Sequence, residues 1–375
     1  MTLQHFSIAR PADMHCHFRQ EDMMHLVVPA SAKDFGYVTV MPNTSPPITS
    51  VEQCRRYLAD IVKAAGPFAT QAGFQPLGTA YICEGLDPDE LRRGFEEKVW
   101  FAAKLYPQGG TTGSEHAASS LQSVYPLFEV MQEIGMPLLI HGEVVGPKFD
   151  EYSRWDRERI FSEMVLPELS RTFPKLKKVC EHVSTRELIQ KVWRDESGYL
   201  AATITPHHAL FTDGDVSRGG VFTDANCMPI IKSPTDRAAI QQAMLSGDER
   251  FFAGTDSAPH DSSKKYARCC SFGAYVAPGA VMAYASVFEQ HQAFEQDNGV
   301  LRFEKFMSLN GPKFYGLPPS THRITMVRSK KEHKISDRFV IPGKKILEPD
   351  TEVVSLFHHE LGLAPQFFWA PGQVN

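Results

Sequence analysis

The chain has no segment suited to crossing a bilayer as a helix. Its most apolar stretch, residues 274–288, is interrupted by Pro278 and Gly279 and falls short of the roughly 20 residues a span needs. It reads instead as a buried helix. No basic region followed by an apolar core opens the sequence, so no secretory signal and no membrane association are expected. Positive charge is not in excess: 39 Lys and Arg stand against 44 Asp and Glu, a formal charge of −5. Without a basic stripe there is no footprint for nucleic acid. Cysteine is sparse and unpatterned, with seven residues, an odd number, and no C-x-x-C. That usage fits a reducing compartment, and the cytoplasm is the default location. The neighbours Cys269 and Cys270 are the one exception to weigh, although adjacent cysteines rarely form a structural disulfide. Low-complexity segments and sequence repeats are also missing.

What is present is a structural rhythm. The 375 residues, 42% hydrophobic and 22% charged, suffice for one large soluble domain or two ordinary ones. Short apolar runs recur near 13–17, 36–41, 76–82, 98–105, 136–141, 177–182, 199–205 and 250–255. Between them lie stretches with helical periodicity, among them 51–65, 121–134, 157–169, 186–193 and 237–245. Eight strands alternating with helices predict parallel β/α units, and eight is the number that closes a (β/α)8 TIM barrel. An open doubly wound sheet would carry a glycine-rich phosphate turn after its first strand, and this chain has none. After about residue 320 the rhythm stops. Residues 329–334 read as an exposed charged loop, and 320–375 as a C-terminal extension packed on the barrel bottom or flank. The chain as a whole is expected to form a single domain.

The informative chemistry begins at Asp13-Met14-His15-Cys16-His17-Phe18-Arg19. In an extended strand, alternate side chains share a face, which groups His15, His17 and Arg19. Two neutral imidazoles at that spacing suit a divalent metal such as zinc. His-x-His alone is a weak signal, more often a solvated strand face than a metal site. Three further ligand types each close an apolar run: His141, His182 and Asp256. Taken singly, either histidine fits a hydrogen-bonded core position and Asp256 fits a helix cap. Strand ends at one barrel mouth bring all five together, and barrel chemistry sits at that end. Lys104 closes another run aimed at the same mouth. A lysine at a strand end can snorkel to the surface. Burial beside cations instead favours a neutral amine, which adds carbon dioxide to become a carbamate, an anionic bridging ligand.

The set His15-x-His17, Lys104, His141, His182 and Asp256 resembles the binuclear amidohydrolase superfamily. Further motifs narrow the resemblance: Met41-Pro42-Asn43, Lys104-Leu105-Tyr106-Pro107, Thr111-Thr112, His141-Gly142-Glu143, Glu181-His182, Thr205-Pro206-His207-His208 and Gly254-Thr255-Asp256-Ser257-Ala258-Pro259-His260. Together they resemble the dihydroorotase family, of the short monofunctional type, from about residue 10 to about 318. The resemblance implies two zinc ions per chain. His15, His17 and Asp256 would hold the more buried one, and His141 and His182 the other. The carbamate formed from carbon dioxide on Lys104 would bridge them together with a hydroxide. Arg19, Asn43 and His260 would hold the substrate carboxylate, and His141 would also contact substrate. Backbone atoms of Met228 and Phe272 would complete the pocket, although the side chains around both depart from the bacterial pattern. Thr111 and Thr112, on the flexible loop Pro107-Gln-Gly-Gly-Thr-Thr-Gly-Ser114, would close over the ligand. His208 is open between support of the metal site and local packing.

The implied reaction is reversible, zinc-dependent hydrolysis of the cyclic amide of dihydroorotate to N-carbamoyl-L-aspartate, in pyrimidine (UMP) synthesis. Hydroxide would attack the scissile carbonyl, and Asp256 would move a proton from it to the departing ring nitrogen. The small-molecule substrate is the expected partner, and a homodimer is one assembly the sequence allows. A hydantoinase or dihydropyrimidinase is the nearest rival. Such proteins usually place a sizeable β-rich segment before His-x-His, whereas 14 residues precede His15. Their substrates also lack the carboxylate Arg19 would pair. A non-catalytic scaffold on the same barrel would be expected to have lost ligands, and every ligand type is retained.

Overall fold

The computed structural model describes residues 3–343, 350–357 and 366–374. Thirteen strands are defined among them. In chain order they are β1 (His5–Ala9), β2 (Ala12–Cys16), β3 (Tyr37–Val40), β4 (Gln75–Tyr81), β5 (Trp100–Leu105), β6 (Leu138–His141) and β7 (Lys178–Glu181). Then come β8 (Leu200–Ile204), β9 (Phe251–Ala253), β10 (Arg323–His333), β11 (Arg338–Ile341), β12 (Thr351–Val354) and β13 (Phe367–Val374). Strands β2 to β9 form one parallel sheet in sequential order, with helices between them. This is the expected eight-stranded (β/α)8 barrel. Met14, Leu77, Ala102, Leu139, Val179, Ala201 and Phe252, one from each of seven strands, fill its interior as a separate apolar cluster. The outward-facing residues merge with the helices in the larger core.

Between β9 and β2 no continuous ladder runs. The seam is closed by a single bridge, Cys16 with Ser257, and by loop hydrogen bonds. Asp256 N donates to His15 O at 2.8 Å, and His17 N to Ser257 O at 3.0 Å. The buried Asp13 carboxylate supplies the rest, accepting from Thr255 N at 2.7 Å and Thr255 Oγ1 at 2.6 Å. A side chain therefore does at the seam what backbone does elsewhere in the barrel.

Helix boundaries follow local chemistry. Ser50 and Gln53 form a capping box on helix Val51–Ala65, and Ser233 with Asp236 form another on Pro234–Leu245. Thr185 caps Arg186–Trp193. The expected 157–169 helix is interrupted by a π-turn at Phe161–Val165. The expected buried helix at 274–288 begins only at Ala280, after Gly279 at φ 96°, and runs to Gln290. Pro278 and Gly279 thus delay it, and its body is buried as anticipated.

Beyond residue 320 the chain forms strands, not a charged loop. Residues 329–333 continue β10, which lies between β1 and β13 in an antiparallel three-stranded sheet. Lys330 and Lys331 on it are both exposed, so their charges stay solvated. Trp369 on β13 stacks within 4.9 Å of Phe6 on β1 and 5.2 Å of Phe294. β11 and β12 form a ribbon of their own. It reaches the mouth of the barrel, where Glu352 N donates to Asp261 Oδ2 at 3.1 Å and Phe339 packs edge-on against Tyr275. The tail therefore touches the mouth as well as the flank. The parts of the expected extension at 344–349, 358–365 and 375 lie outside the described residues.

Candidate metal centre

His15 is the penultimate residue of β2, and His17 lies just past the strand end. Strand alternation therefore reaches only Cys16, where the ladder to β3 is already irregular. The two imidazoles nonetheless converge. His15 Nε2, His17 Nε2 and Asp256 Oδ1 form a triangle with every edge 3.2 Å. Ligand atoms about 2.0–2.1 Å from a tetrahedral ion lie about 3.3–3.4 Å apart, so the triangle has the dimensions of a zinc face. All three residues are buried. The outer ring nitrogens are engaged in a way that leaves Nε2 as the lone-pair atom. His17 Nδ1 donates to Asn43 Oδ1 at 2.8 Å, and His15 Nδ1 lies 3.0 Å from Glu181 Oε1. Such partners orient metal-binding histidines.

A second pair continues the array. The His182 ring lies 5.1 Å from that of His15 and 4.6 Å from that of His141. His141 Nε2 is 2.7 Å from Glu143 Oε2, while His182 Nδ1 is buried without a hydrogen-bond partner. Burial lowers the His182 pKa well below its ordinary value, with the charges of His141 and Lys104 adding to the effect. It is thus a neutral ligand type. Lys104, at 0% exposure, points to the same place, its ammonium against Glu181 Oε2 and 5.1 Å from the Tyr106 ring.

Three of these residues are held in the left-handed region: Arg19 at φ 56°, His182 at 43° and Asp256 at 46°. Each costs on the order of 1–3 kcal/mol for a non-glycine residue. All three follow the ends of barrel strands, where the chain must turn a side chain into the mouth. Gly254 serves the same junction by its size. A Cβ there would lie 2.7 Å from Thr203 Cβ and 3.1 Å from His15 Cβ.

Around the triangle lies a narrow, tightly filled cavity of about 20 Å³. Arg19, Asn43, Thr111, Thr112, Met228 and Phe272 line it with the histidines and Asp256. Arg19 Nε donates to Pro259 O at 2.9 Å, and its Nη2 lies 3.1 Å from His260 Nε2. His260 Nε2 is also 2.7 Å from Phe272 O. Burial, with the Arg19 guanidinium beside it, lowers the His260 pKa to about 3, so the ring is neutral and donates to that carbonyl. Among the described residues no carboxylate pairs with Arg19. Asn43 does not face the cavity freely: its Nδ2 donates to Thr112 O at 2.9 Å. Thr112 Oγ1 in turn donates to Phe272 O at 3.3 Å, so the 107–114 loop is fastened across the mouth.

All the residues singled out in the sequence therefore gather at one mouth. His208 does not join the triangle. Its Nδ1 lies 2.7 Å from Thr205 Oγ1 and its Nε2 donates to Pro229 O at 3.0 Å. Sequence reasoning quoted Glu181, Glu143 and Asp13 within its motifs but gave them no role. Their signal was adjacency, since acidic residues one or two positions from a ligand histidine are suited to orient it.

No protein-family model matches the chain. A dihydroorotase of Yersinia enterocolitica is 43% identical over 343 residues, covering 90% of this chain and 95% of that protein. The chain belongs to the dihydroorotase family. Among solved structures, the dihydroorotase of Campylobacter jejuni is 30% identical with a TM-score of 0.82, covering 100% of this chain and 99% of that one. Dihydroorotase from Saccharomyces cerevisiae, in complex with 5-fluoroorotic acid, is 26% identical with a TM-score of 0.85 and 99% coverage of both chains. Dihydroorotases are metal-dependent cyclic amidohydrolases, and the buried group His15, His17 and Asp256 is one that could hold a metal ion here.

Proposed function

We propose that this chain catalyses the reversible hydrolysis of the dihydroorotate ring to N-carbamoyl-L-aspartate, in pyrimidine synthesis. The observation that carries the substrate assignment is Arg19, a half-buried guanidinium lining the cavity with no carboxylate partner among the described residues. An uncompensated cation of this kind calls for an anionic ligand, and a planar fork suits a carboxylate. His260 and Asn43 stand beside it, and their donors, now held by Phe272 O and Thr112 O, would have to turn to reach the substrate carboxylate. Thr111, Thr112 and the backbone at Met228 and Phe272 would enclose the ring.

Two zinc ions fit the donor set. His15, His17 and Asp256 would hold one and His141 with His182 the other, with Lys104 between them as its carbamate. Carbamate formation joins the neutral Lys104 amine to carbon dioxide and releases one proton. This would exchange the buried Lys104–Glu181 ion pair for two adjacent anions, which need cations close by. Bound metal would supply an activated water and an electrophile for the scissile carbonyl. Asp256 keeps Oδ2 outside the triangle and is proposed to take the water's proton and return it to the departing ring nitrogen. The single-domain organisation, a homodimeric assembly and a cytoplasmic location belong to the same proposal. Among the described residues no helix is long and apolar enough to cross a membrane.

The test compares two rings at fixed metal and bicarbonate. Wild type should hydrolyse dihydroorotate far better than neutral dihydrouracil. Arg19→Ala should lose activity on dihydroorotate by several-fold or more and much less on dihydrouracil. Equal losses on both rings would make Arg19 an organiser of the metal site, and equal wild-type turnover of both would favour a hydantoinase-like substrate.

A further inference from the structure

A second buried group of ligand-type side chains lies outside the proposed centre. His207, His208 and Cys227 each offer one atom, all within 4.8 Å of one another. None is more than 2% exposed. His207 and His208 follow the end of β8, and Cys227 comes from the segment that leads into the cavity wall at Met228. We propose that these three side chains form a third metal site, for a thiophilic ion of the zinc class, separate from the binuclear centre.

His207 is the strongest evidence. Both of its ring nitrogens are buried without a hydrogen-bond partner. A neutral imidazole has one donor and one acceptor, and leaving either unsatisfied in the interior is costly. A bound ion satisfies the acceptor nitrogen. His208 has both ring nitrogens engaged. Its Nε2–H donates to the Pro229 carbonyl at 3.0 Å, the outer contact that metal-bound histidines usually make, so Nδ1 carries the lone pair. That lone pair now faces the Thr205 hydroxyl at 2.7 Å, and since this oxygen also caps the following helix by accepting from His208 N, the Thr205 side chain would have to move aside for the ion. Cys227 Sγ sits 3.3 Å from Pro229 O as a thiol donor. Burial pushes its pKa to about 12, so the thiol stays protonated until a cation arrives. Binding would then form an S–metal bond, break the S–H bond and release one proton to solvent. Two imidazoles and one thiolate suit a d10 ion such as Zn2+. The ligand atoms would close in by about 1 Å to reach tetrahedral spacing. Occupancy would pin the segment carrying Met228 to the end of β8.

Cobalt distinguishes this site from the other, whose proposed ligands include no sulfur. The purified full-length protein, stripped of metal and titrated with Co2+ alone, should bind a third equivalent. That equivalent should bring a thiolate-to-cobalt charge-transfer band in the near ultraviolet. Cys227→Ser should lose the band and one equivalent of cobalt, and His207→Gln should weaken binding of that equivalent at least tenfold. Both should keep the other two equivalents. Absence of the band in wild type, or its persistence in Cys227→Ser, overturns the third site. Should Cys227→Ser fail to fold, 113Cd resonances of the wild-type protein decide: one in the sulfur-ligand range supports the site, and nitrogen and oxygen shifts alone overturn it. Fewer than two equivalents without the band would instead count against the binuclear reading, so the two failures are distinct.

Discussion

Asn43 shows how much one side chain settles. Its Oδ1 fixes the His17 tautomer while its Nδ2 holds Thr112 O. Asn43→Ala should therefore weaken metal affinity by roughly 10–100-fold, the usual cost of an outer partner, as read by competition with a chromogenic chelator. Asp256→Asn should lower turnover by roughly 10²–10⁴-fold with the fold intact, because an amide cannot carry the proton. A near wild-type kcat would remove Asp256 from that role. His15 gives a pH signature. Burial disfavours its imidazolium, but Glu181 and Asp256 outweigh burial and raise its pKa to about 9 in the metal-free protein. The stability gained from that charge is complete below the ordinary value near 6.5 and is lost as pH rises through about 9. A metal must displace the proton, so zinc binding near pH 7.5 should release at least one. Titration calorimetry in buffers of different ionisation enthalpy measures it, and no proton release would contradict the assignment. At this scale the proposed ligands stood out because their types are rare in combination. The supports did not, since Glu181 and Glu143 look like any acid near a histidine until the distances are known.

The loop spanning 107–114 joins three elements. Thr112 Oγ1 bonds Phe272 O, Asn43 holds Thr112 O, and Tyr81 OH donates to Gly113 O at 3.0 Å. Thr112→Val should raise KM several-fold and change kcat less, because the hydroxyl fastens the loop and does not touch a reacting bond. Steady-state kinetics check the split. The barrel strands were readable as apolar runs, each within a few residues of its observed place, because burial on both faces leaves few polar interruptions. β1 was not read. Only Phe6 and Ile8 mark its buried side, and its partner β10 lies more than 300 residues away in the sequence. β10 was misread from its charges, since after Met326 the alternation that signals a strand gives way to solvated residues. Arg19 was grouped with the histidines by strand alternation, yet a left-handed turn past the strand end is what brings it there.

On the scale of the whole molecule, the first and last parts of the chain meet in one sheet. Trp369 is 2% exposed and packs on Phe6 and Phe294. Trp369→Ala should cost about 3–5 kcal/mol, the usual penalty for emptying an aromatic core site, and lower the melting temperature. Metal stoichiometry measured by elemental analysis should stay unchanged, because the sheet lies apart from the triangle. The ribbon of β11 and β12 differs, since it leans on the loop that carries His260 and Phe272. The seam between β9 and β2 bears on how the chain is born. Asp13 and Thr255, whose bonds close the barrel, are 242 residues apart. His15 and His17 therefore leave the ribosome long before Asp256 does. A nascent chain arrested before Asp256 should hold zinc only loosely through that pair, and one extended past the seam should retain it against a chelator. Closing the barrel and capturing the proposed metal would then be one event, which waits for the residues after β9.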